Sequence, residues 1–257
     1  MQPLRFAVVA GTLLLAPALA HASPFEGAWK LDPAKSHFEG DTYSFTRTAK
    51  GFRYSNGSTL SYVFAIDGKD YPTIESRSAA WSKSADGGFD TVSKANGKVV
   101  SKGHWMISPD GKTLTADFTI YRPDGSTETE HDVSKRLAGG AGLAGRWQDV
   151  KVQVETEAMT ITTPAEGRVE IRFPKSQEVV AGRLDGSPSP ITGPTIPAGA
   201  QASYKALGPN KWIYTISLKG KVYDKGTLSV SADGATLTQK SWIPGKEAEA
   251  STAVFTK

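Results

Sequence analysis

The chain of 257 residues contains no cysteine. Disulfides are therefore excluded, as is lipid attachment through an N-terminal cysteine, and the folded state must rest on packing alone. Beyond residue 22 no apolar run approaches the ~20 residues that a membrane-spanning helix needs. Lysine and arginine nowhere gather into clusters with interleaved aromatics. The net charge of +4 is spread thinly, with its excess in the second half, so the nucleic-acid signature is missing and the charge reads as a solvated surface. There is no His-x-His, no His-Glu-x-x-His and no Gly-x-Ser-x-Gly, hence no metal-ligand spacing and no nucleophile to nominate. AGGAG (138–142) is glycine-rich but precedes no helical pattern, which removes a phosphate-cradling loop. The residues point to no cofactor and to no enzyme.

What is present at the start is a leader. MQPLRFAVVAGTLLLAPALAHA carries one positive charge at Arg5, an apolar run from Phe6 to Leu19, and small residues at Ala20 and Ala22. This layout predicts cleavage after Ala22, a mature chain from Ser23, and a periplasmic or secreted location in a bacterium.

The remainder reads as one text written twice. A shift of 118 residues carries Gly27 and Trp29 onto Gly145 and Trp147, and Asp67, Gly68 and Pro72 onto Asp185, Gly186 and Pro190. The shift grows to 123 across ITGPTIPAGA (191–200), after which Trp81 matches Tyr204, Phe89 matches Trp212, and NGKVVSKG (96–103) matches KGKVYDKG (219–226). The implied units are 23–138 and 143–257, with AGGAG as the hinge between them.

Each unit shows short alternating segments. TLSYVFAI (59–66) puts Leu60, Tyr62, Phe64 and Ile66 on one face, and KWIYTISL (211–218) does the same with Trp212, Tyr214, Ile216 and Leu218. Asx-Gly pairs such as Asn96-Gly97, Asp110-Gly111 and Asp233-Gly234 punctuate them and supply the positive φ angles of tight hairpins. The pattern predicts an all-β protein of two tandem up-and-down antiparallel barrels, each of about eight to ten strands. No convincing helix is visible, and VKVQVETEAMTITTPAEGRVEIRF (150–173) fits two strands or three.

The stretch FEGAWKL (25–31), with its second appearance as LAGRW (143–147), resembles the first strand of the calycin superfamily, the lipocalins and fatty-acid-binding proteins. The wider pattern of GAWKLDPAKS, DGKDYP, NGKVV and DGKTLT also resembles uncharacterised secreted bacterial lipocalin-like proteins. The resemblance implies that Trp29 and Trp147 pack across the closed end of a barrel while Gly27 and Gly145 admit a close backbone approach, a structural signature. It also implies a small, mostly apolar ligand. The chain departs from the fatty-acid-binding pattern in having no helical lid after the first strand. It also lacks the carboxylate-binding Arg-x-Tyr: the matching stretches are HDVSKR (131–136) and TAVFTK (252–257).

In the first unit the alternation offers Tyr62, Phe64, Trp81, Phe89 and Trp105 as ligand-binding residues; in the second, Tyr204, Trp212 and Tyr214. These aromatics either fill the barrels or line a cavity. The inner face of the Phe89 strand reads Phe89, Thr91, Ser93, Ala95 against Trp212, Tyr214, Ile216, Leu218, so the first unit is expected to be the roomier, binding one and the second mainly structural. His104 alternates with Trp105 and is expected on the surface; a pairing with His131 for acid/base or metal chemistry is the alternative. The proline-rich SPSPITGPTIPAG (187–199) offers a second role, as a loop that captures a protein partner. A third is a cofactor-free enzyme that works through cavity shape.

Overall fold

A computed structural model describes residues 23–38, 40–151 and 158–257; the leader falls outside the described residues. Alternation and Asx-Gly turns produce strands and hairpins almost throughout. In chain order the strands are β1 (Gly27–Leu31), β2 (Thr42–Thr48), β3 (Gly51–Ser55), β4 (Ser61–Phe64), β5 (Asp70–Pro72), β6 (Arg77–Lys83), β7 (Phe89–Ala95), β8 (Lys98–Ile107), β9 (Thr113–Tyr121), β10 (Thr127–Ala138), β11 (Gly145–Lys151), β12 (Ala158–Thr162), β13 (Arg168–Phe173), β14 (Glu178–Arg183), β15 (Asp185–Thr192), β16 (Ala200–Gly208), β17 (Lys211–Leu218), β18 (Lys221–Val230), β19 (Thr236–Trp242) and β20 (Ser251–Thr256). The one helix among the described residues is a single 3-10 turn, Glu247–Glu249. Within 150–173, β11 ends and β12 and β13 follow, while 152–157 lie outside the described residues. No described helix is long and apolar enough to cross a membrane.

The strands form two antiparallel ten-stranded barrels. One is closed, in the order β1-β12-β13-β14-β15-β16-β17-β18-β19-β20; the other runs β4-β3-β2-β11-β10-β9-β8-β7-β6-β5 and is nearly closed. We call the second sheet barrel one and the closed sheet barrel two. The seam of barrel one lies between β4 and β5, where the chain instead makes a parallel bridge from Ile66 to Trp81 and Gly68 N–H donates to Trp81 O at 2.8 Å. At the corresponding place in barrel two, β14 and β15 pair through Val179–Thr192 and Val180–Ile191.

Sheet membership departs from the expected boundaries 23–138 and 143–257 at two strands. β1 does not join its sequence neighbours: Trp29 pairs with Met159 of β12 and Leu31 with Phe255 of β20. β11 lies in barrel one, where Trp147 pairs with Arg136 of β10 and with Tyr43 of β2. Each Gly-x-Trp strand thus closes the barrel of the other half. AGGAG is accordingly no hinge between barrels, since it joins β10 to β11 inside one sheet. The chain thus passes from barrel two to barrel one between β1 and β2, and back between β11 and β12.

Both signature strands meet a similar setting. Trp29 is 1 % exposed and its Nε1–H donates to Phe25 O at 2.8 Å; Trp147 is fully buried and donates to Leu143 O at 3.1 Å. A cation covers each indole, Lys257 Nζ at 4.8 Å from the Trp29 ring and Arg136 Cζ at 3.9 Å from that of Trp147. A Cβ at Gly145 would stand 2.5 Å from Arg136 Nη1, and one at Gly27 3.1 Å from Lys257 Cε. The missing side chains make room for these cations.

Two apolar cores follow from the inward alternation. Barrel two packs Phe25, Trp29, Leu31, Ile161, Ile171, Trp212, Leu228, Leu237 and Phe255, among others. Barrel one packs Tyr43, Phe45, Phe52, Phe64, Trp81, Phe89, Leu114 and Trp147.

Candidate binding interiors

Four of the five nominated residues of the first unit form one aromatic chain. Phe64 stacks on Trp81 at 4.7 Å, Trp81 lies 5.2 Å from Trp105, and Tyr62 lies 5.5 Å from Phe64. Trp81 Nε1–H donates to Tyr62 Oη at 3.3 Å and Trp105 Nε1–H to Thr91 Oγ1 at 3.1 Å. Phe64 and Trp81 are buried, whereas Tyr62 and Trp105 are half-buried. Phe89, the fifth, is buried too, with Lys83 Nζ 4.0 Å from its ring centre. Tyr43, Phe45, Phe52 and Tyr54 belong to the same cluster, with Phe45 5.6 Å from Trp81 and Tyr54 5.4 Å from Tyr62. The alternation in TYSFT and GFRYS carries that signal in the sequence, but the nomination did not include them.

Strand direction defines a closed end and a mouth for each barrel. The signature tryptophan, Leu114 and Phe89 sit toward the closed end of barrel one. Toward its mouth the inner face of β6, β7 and β8 carries the short residues Ala79, Thr91, Ser93, Ala95, Ser101 and Gly103, together with Arg77, the cross-strand partner of Ala95; Phe118 of β9 lies over Gly103, where a Cβ would stand 2.6 Å from its Cε1. On the wall formed by β2, β10 and β11 a polar group stands beside that core, since Tyr43 pairs with Trp147 and Ser134 with Leu114. Tyr43 Oη and Ser134 Oγ lie 2.7 Å apart, and Ser134 Oγ–H donates to Asp149 Oδ1 at 2.5 Å. Asp132, two residues from Ser134, keeps a buried Oδ1 with no hydrogen-bond partner. Burial pushes the carboxyls of Asp132 and Asp149 up to about 6, because withdrawal from water disfavours the charged form. Asp41 is raised for the same reason.

Barrel two is fuller. Tyr204, Trp212 and Tyr214 are all buried, and Trp212 stacks on Phe25 at 3.7 Å. One polar group interrupts this core on its mouth side. Tyr214 Oη–H donates to Asp224 Oδ2 at 3.1 Å and accepts from Gln239 Nε2 at 2.9 Å. Gly226 allows it, because a Cβ there would stand 2.5 Å from Tyr214 Cε1. Burial raises the Asp224 carboxyl to about 6, opposed by the bond from Tyr214 and by the Lys225 and Trp242 N–H groups.

The two mouths face each other. Lys221 Nζ reaches Thr59 O at 3.0 Å, Lys175 reaches Glu128 at 3.3 Å, and Lys219 pairs with Glu75 at 2.9 Å. Arg77 Nη2 donates to Thr195 O at 3.1 Å and Asn96 Nδ2 to Pro194 O at 3.0 Å. All these groups lie in or beside mouth-end turns. The proline-rich loop, nominated for partner capture, is therefore engaged by barrel one of its own chain. A cleft of about 290 Å³ remains at this junction, lined by Tyr43, Ser55, Asn56 and Arg146 of barrel one and Lys246 and Glu249 of barrel two.

His104 and His131 lie on the outer wall. His104 Nδ1 is 2.8 Å from Asp90 and Nε2 3.0 Å from Asp86, and His131 Nδ1 is 2.6 Å from Asp117. Asp117 is the cross-strand partner of both His104 and His131. One strand thus separates the two rings, and the opposite face of the sheet carries Trp105. Among the described residues no group of three or more His, Asp or Glu could hold a metal ion.

Compared with known protein families, curated proteins and solved structures, the chain matches none.

Proposed function

We propose that this is an exported, non-catalytic, lipocalin-like binding protein that encloses a small, mostly apolar molecule in the mouth half of barrel one. One observation carries the reading. Ser93, Ala95 and Ser101 are short inner residues of β7 and β8, while the inward Tyr54 and Tyr62 stay half-buried, a combination of small side chains and incompletely covered aromatics that suits a guest. The corresponding positions of β17 carry Tyr214, Ile216 and Leu218, which fill the space themselves. Enclosure would stabilise a complex by roughly 25 cal/mol per Å² of apolar area removed from water, and the hydroxyls of the mouth would orient the guest. Apposition of the mouths supports the same reading by limiting access from solvent. Neither the outward histidines nor the docked proline-rich loop favours an enzyme or a partner-capture module.

Native mass spectrometry of the mature protein from its own host tests this. One apolar molecule per chain, lost in Ser93→Leu, is the expected result. A clean unliganded mass, unchanged after exposure to a library of apolar compounds, would remove the proposal.

A further inference from the structure

Arg146 precedes the fully buried Trp147 on β11 and is exposed on the outer wall of barrel one. Its cross-strand partner is Ser44 of β2, and Ser44 is in turn the partner of Ser55 of β3. A guanidinium and two hydroxyls thus lie abreast on three adjoining strands, roughly 5 Å apart from strand to strand. The turn of barrel two that carries Lys246 and Glu249 faces this row, and the space between them is the junction cleft of about 290 Å³. Most polar groups of the cleft are already committed. Lys246 Nζ donates to Thr42 O at 3.5 Å and pairs with Glu249 at 3.2 Å. Asn56 Oδ1 accepts the N–H groups of Ser58, Thr59 and Leu60, which fixes the loop after β3. Ser55 Oγ accepts from Gly57 N–H at 3.0 Å, and its own hydrogen is left to donate. The Arg146 guanidinium makes no hydrogen bond and no ion pair among the described residues.

A second depression begins at the same two residues. Ser44 and Arg146 also border a groove of about 470 Å³, whose other walls are Phe45, Thr46, Arg47, Ala144 and residues 138–141. The Arg47 guanidinium is turned onto the Phe52 ring, 5.1 Å from its centre. Arg136 holds the loop in shape by donating to Gly142 O and Ala144 O, each at 2.7 Å. The AGGAG stretch therefore presents methyl groups and glycine backbone along a preformed trough, beside an arginine without a counter-charge.

We propose that Arg146 is the centre of a binding site for a small organic carboxylate, with the carboxyl group in the junction cleft and the apolar tail in the groove along 138–141. A guanidinium takes a carboxylate through two parallel charge-assisted bonds, and the Ser55 hydroxyl adds a third donor. Glu249 offsets Lys246 in the cleft, so one positive charge remains, which matches a monocarboxylate. An amine is repelled by that charge, and an alcohol does not answer it. A volume near 300 Å³ is at the lower end for pockets that hold organic ligands, which keeps the class small. The site lies on the outer wall, separate from the proposed chamber of barrel one, and stands or falls without it.

The test is calorimetric titration of the mature protein with hexanoate, hexan-1-ol, n-hexylammonium and acetate at pH 7. Hexanoate should bind one per chain at this site, at least about tenfold more tightly than the alcohol or the amine, a difference of ~1.4 kcal/mol. Acetate has no tail for the groove and should bind at least about tenfold more weakly than hexanoate. Arg146→Gln removes a side chain that holds nothing else in place; it should weaken hexanoate at least about tenfold while leaving the thermal midpoint unchanged. Gly140→Asp sets a like charge in the groove, at a position where a Cβ meets nothing within 4 Å, and should weaken hexanoate too. Ser93→Leu, which fills the chamber of barrel one, should leave hexanoate binding unchanged. No hexanoate binding, binding no tighter than that of hexan-1-ol or acetate, full binding by Arg146→Gln, or binding lost in Ser93→Leu would overturn the proposal.

Discussion

Gly40 and Asp149 are pressed backbone to backbone: a Cβ built on Gly40 would overlap the Asp149 carbonyl oxygen, and Asp149 N–H donates to Asp41 O at 3.0 Å. Here the residues just before β2 pack on β11, two residues from its end. Gly40→Ala should therefore destabilise the protein by about 1–3 kcal/mol, as overpacking against fixed backbone does. Chemical denaturation of the variant beside Lys50→Ala, a change at the exposed turn between β2 and β3, measures it; equal midpoints would show that the contact is loose.

Strand exchange makes a sharp prediction about fragments. Residues 40–151 contain every strand of barrel one in continuous sequence, whereas 23–138 lacks β11 and with it Trp147, leaving the edges of β2 and β10 unpaired. Fragment 40–151 should give a dispersed amide spectrum and a cooperative melt. Fragment 23–138 should be unfolded or aggregated, since exposed edges template association. The reverse result would mean that each half closes its own barrel.

Arg136 should outweigh its counterpart Lys257. Its guanidinium donates to Gly111 O at 2.5 Å, Ala144 O at 2.7 Å and Gly142 O at 2.7 Å while covering Trp147; Lys257 only covers Trp29. Arg136→Ala should cost on the order of 3 kcal/mol, combining charge-assisted bonds with the cation–π contact. Lys257→Ala should cost less than about 1 kcal/mol. Urea midpoints of the two variants decide between this ranking and equivalence.

Stability should be higher near pH 5 than at pH 8. The folded carboxyls of Asp132, Asp149 and Asp224 titrate at about 6, well above the unfolded value near 3.8. Between those limits the native state therefore binds more protons, and stability falls as pH rises. His104 is raised too, chiefly by its bond to Asp90 and then by Asp86. Its contribution is complete below the unfolded value near 6.5 and is lost as pH rises through the folded one. Asp132→Asn should flatten the slope between pH 4 and 6 and raise the melting temperature at pH 8 by roughly 2–4 °C, about 1 kcal/mol after allowance for solvent screening. A melting temperature that climbs steadily from pH 5 to 8 would contradict both assignments.

The sequence by itself determined the local structure. Alternation in KWIYTISL predicts one strand with Trp212 and Tyr214 inward, and β17 has those bounds and that face. Asn96-Gly97 and Asp110-Gly111 predict hairpins, and β7–β8 and β8–β9 are hairpins. These features depend on interactions within a few residues, so a period of two and a turn dipeptide suffice to read them. Tertiary structure alone decided which barrel each Gly-x-Trp strand enters. The two strands carry the same signature, and either could complete either sheet; the choice depends on contacts such as Gly40 against Asp149, between residues remote in sequence. The buried polar groups were hidden for the same reason. Asp132 and Ser134 alternate legibly on β10, but Asp149 reaches Ser134 only because β11 pairs there. Likewise Tyr204, Tyr214, Asp224 and Gln239 come from four strands, and no spacing along the chain announces that they meet.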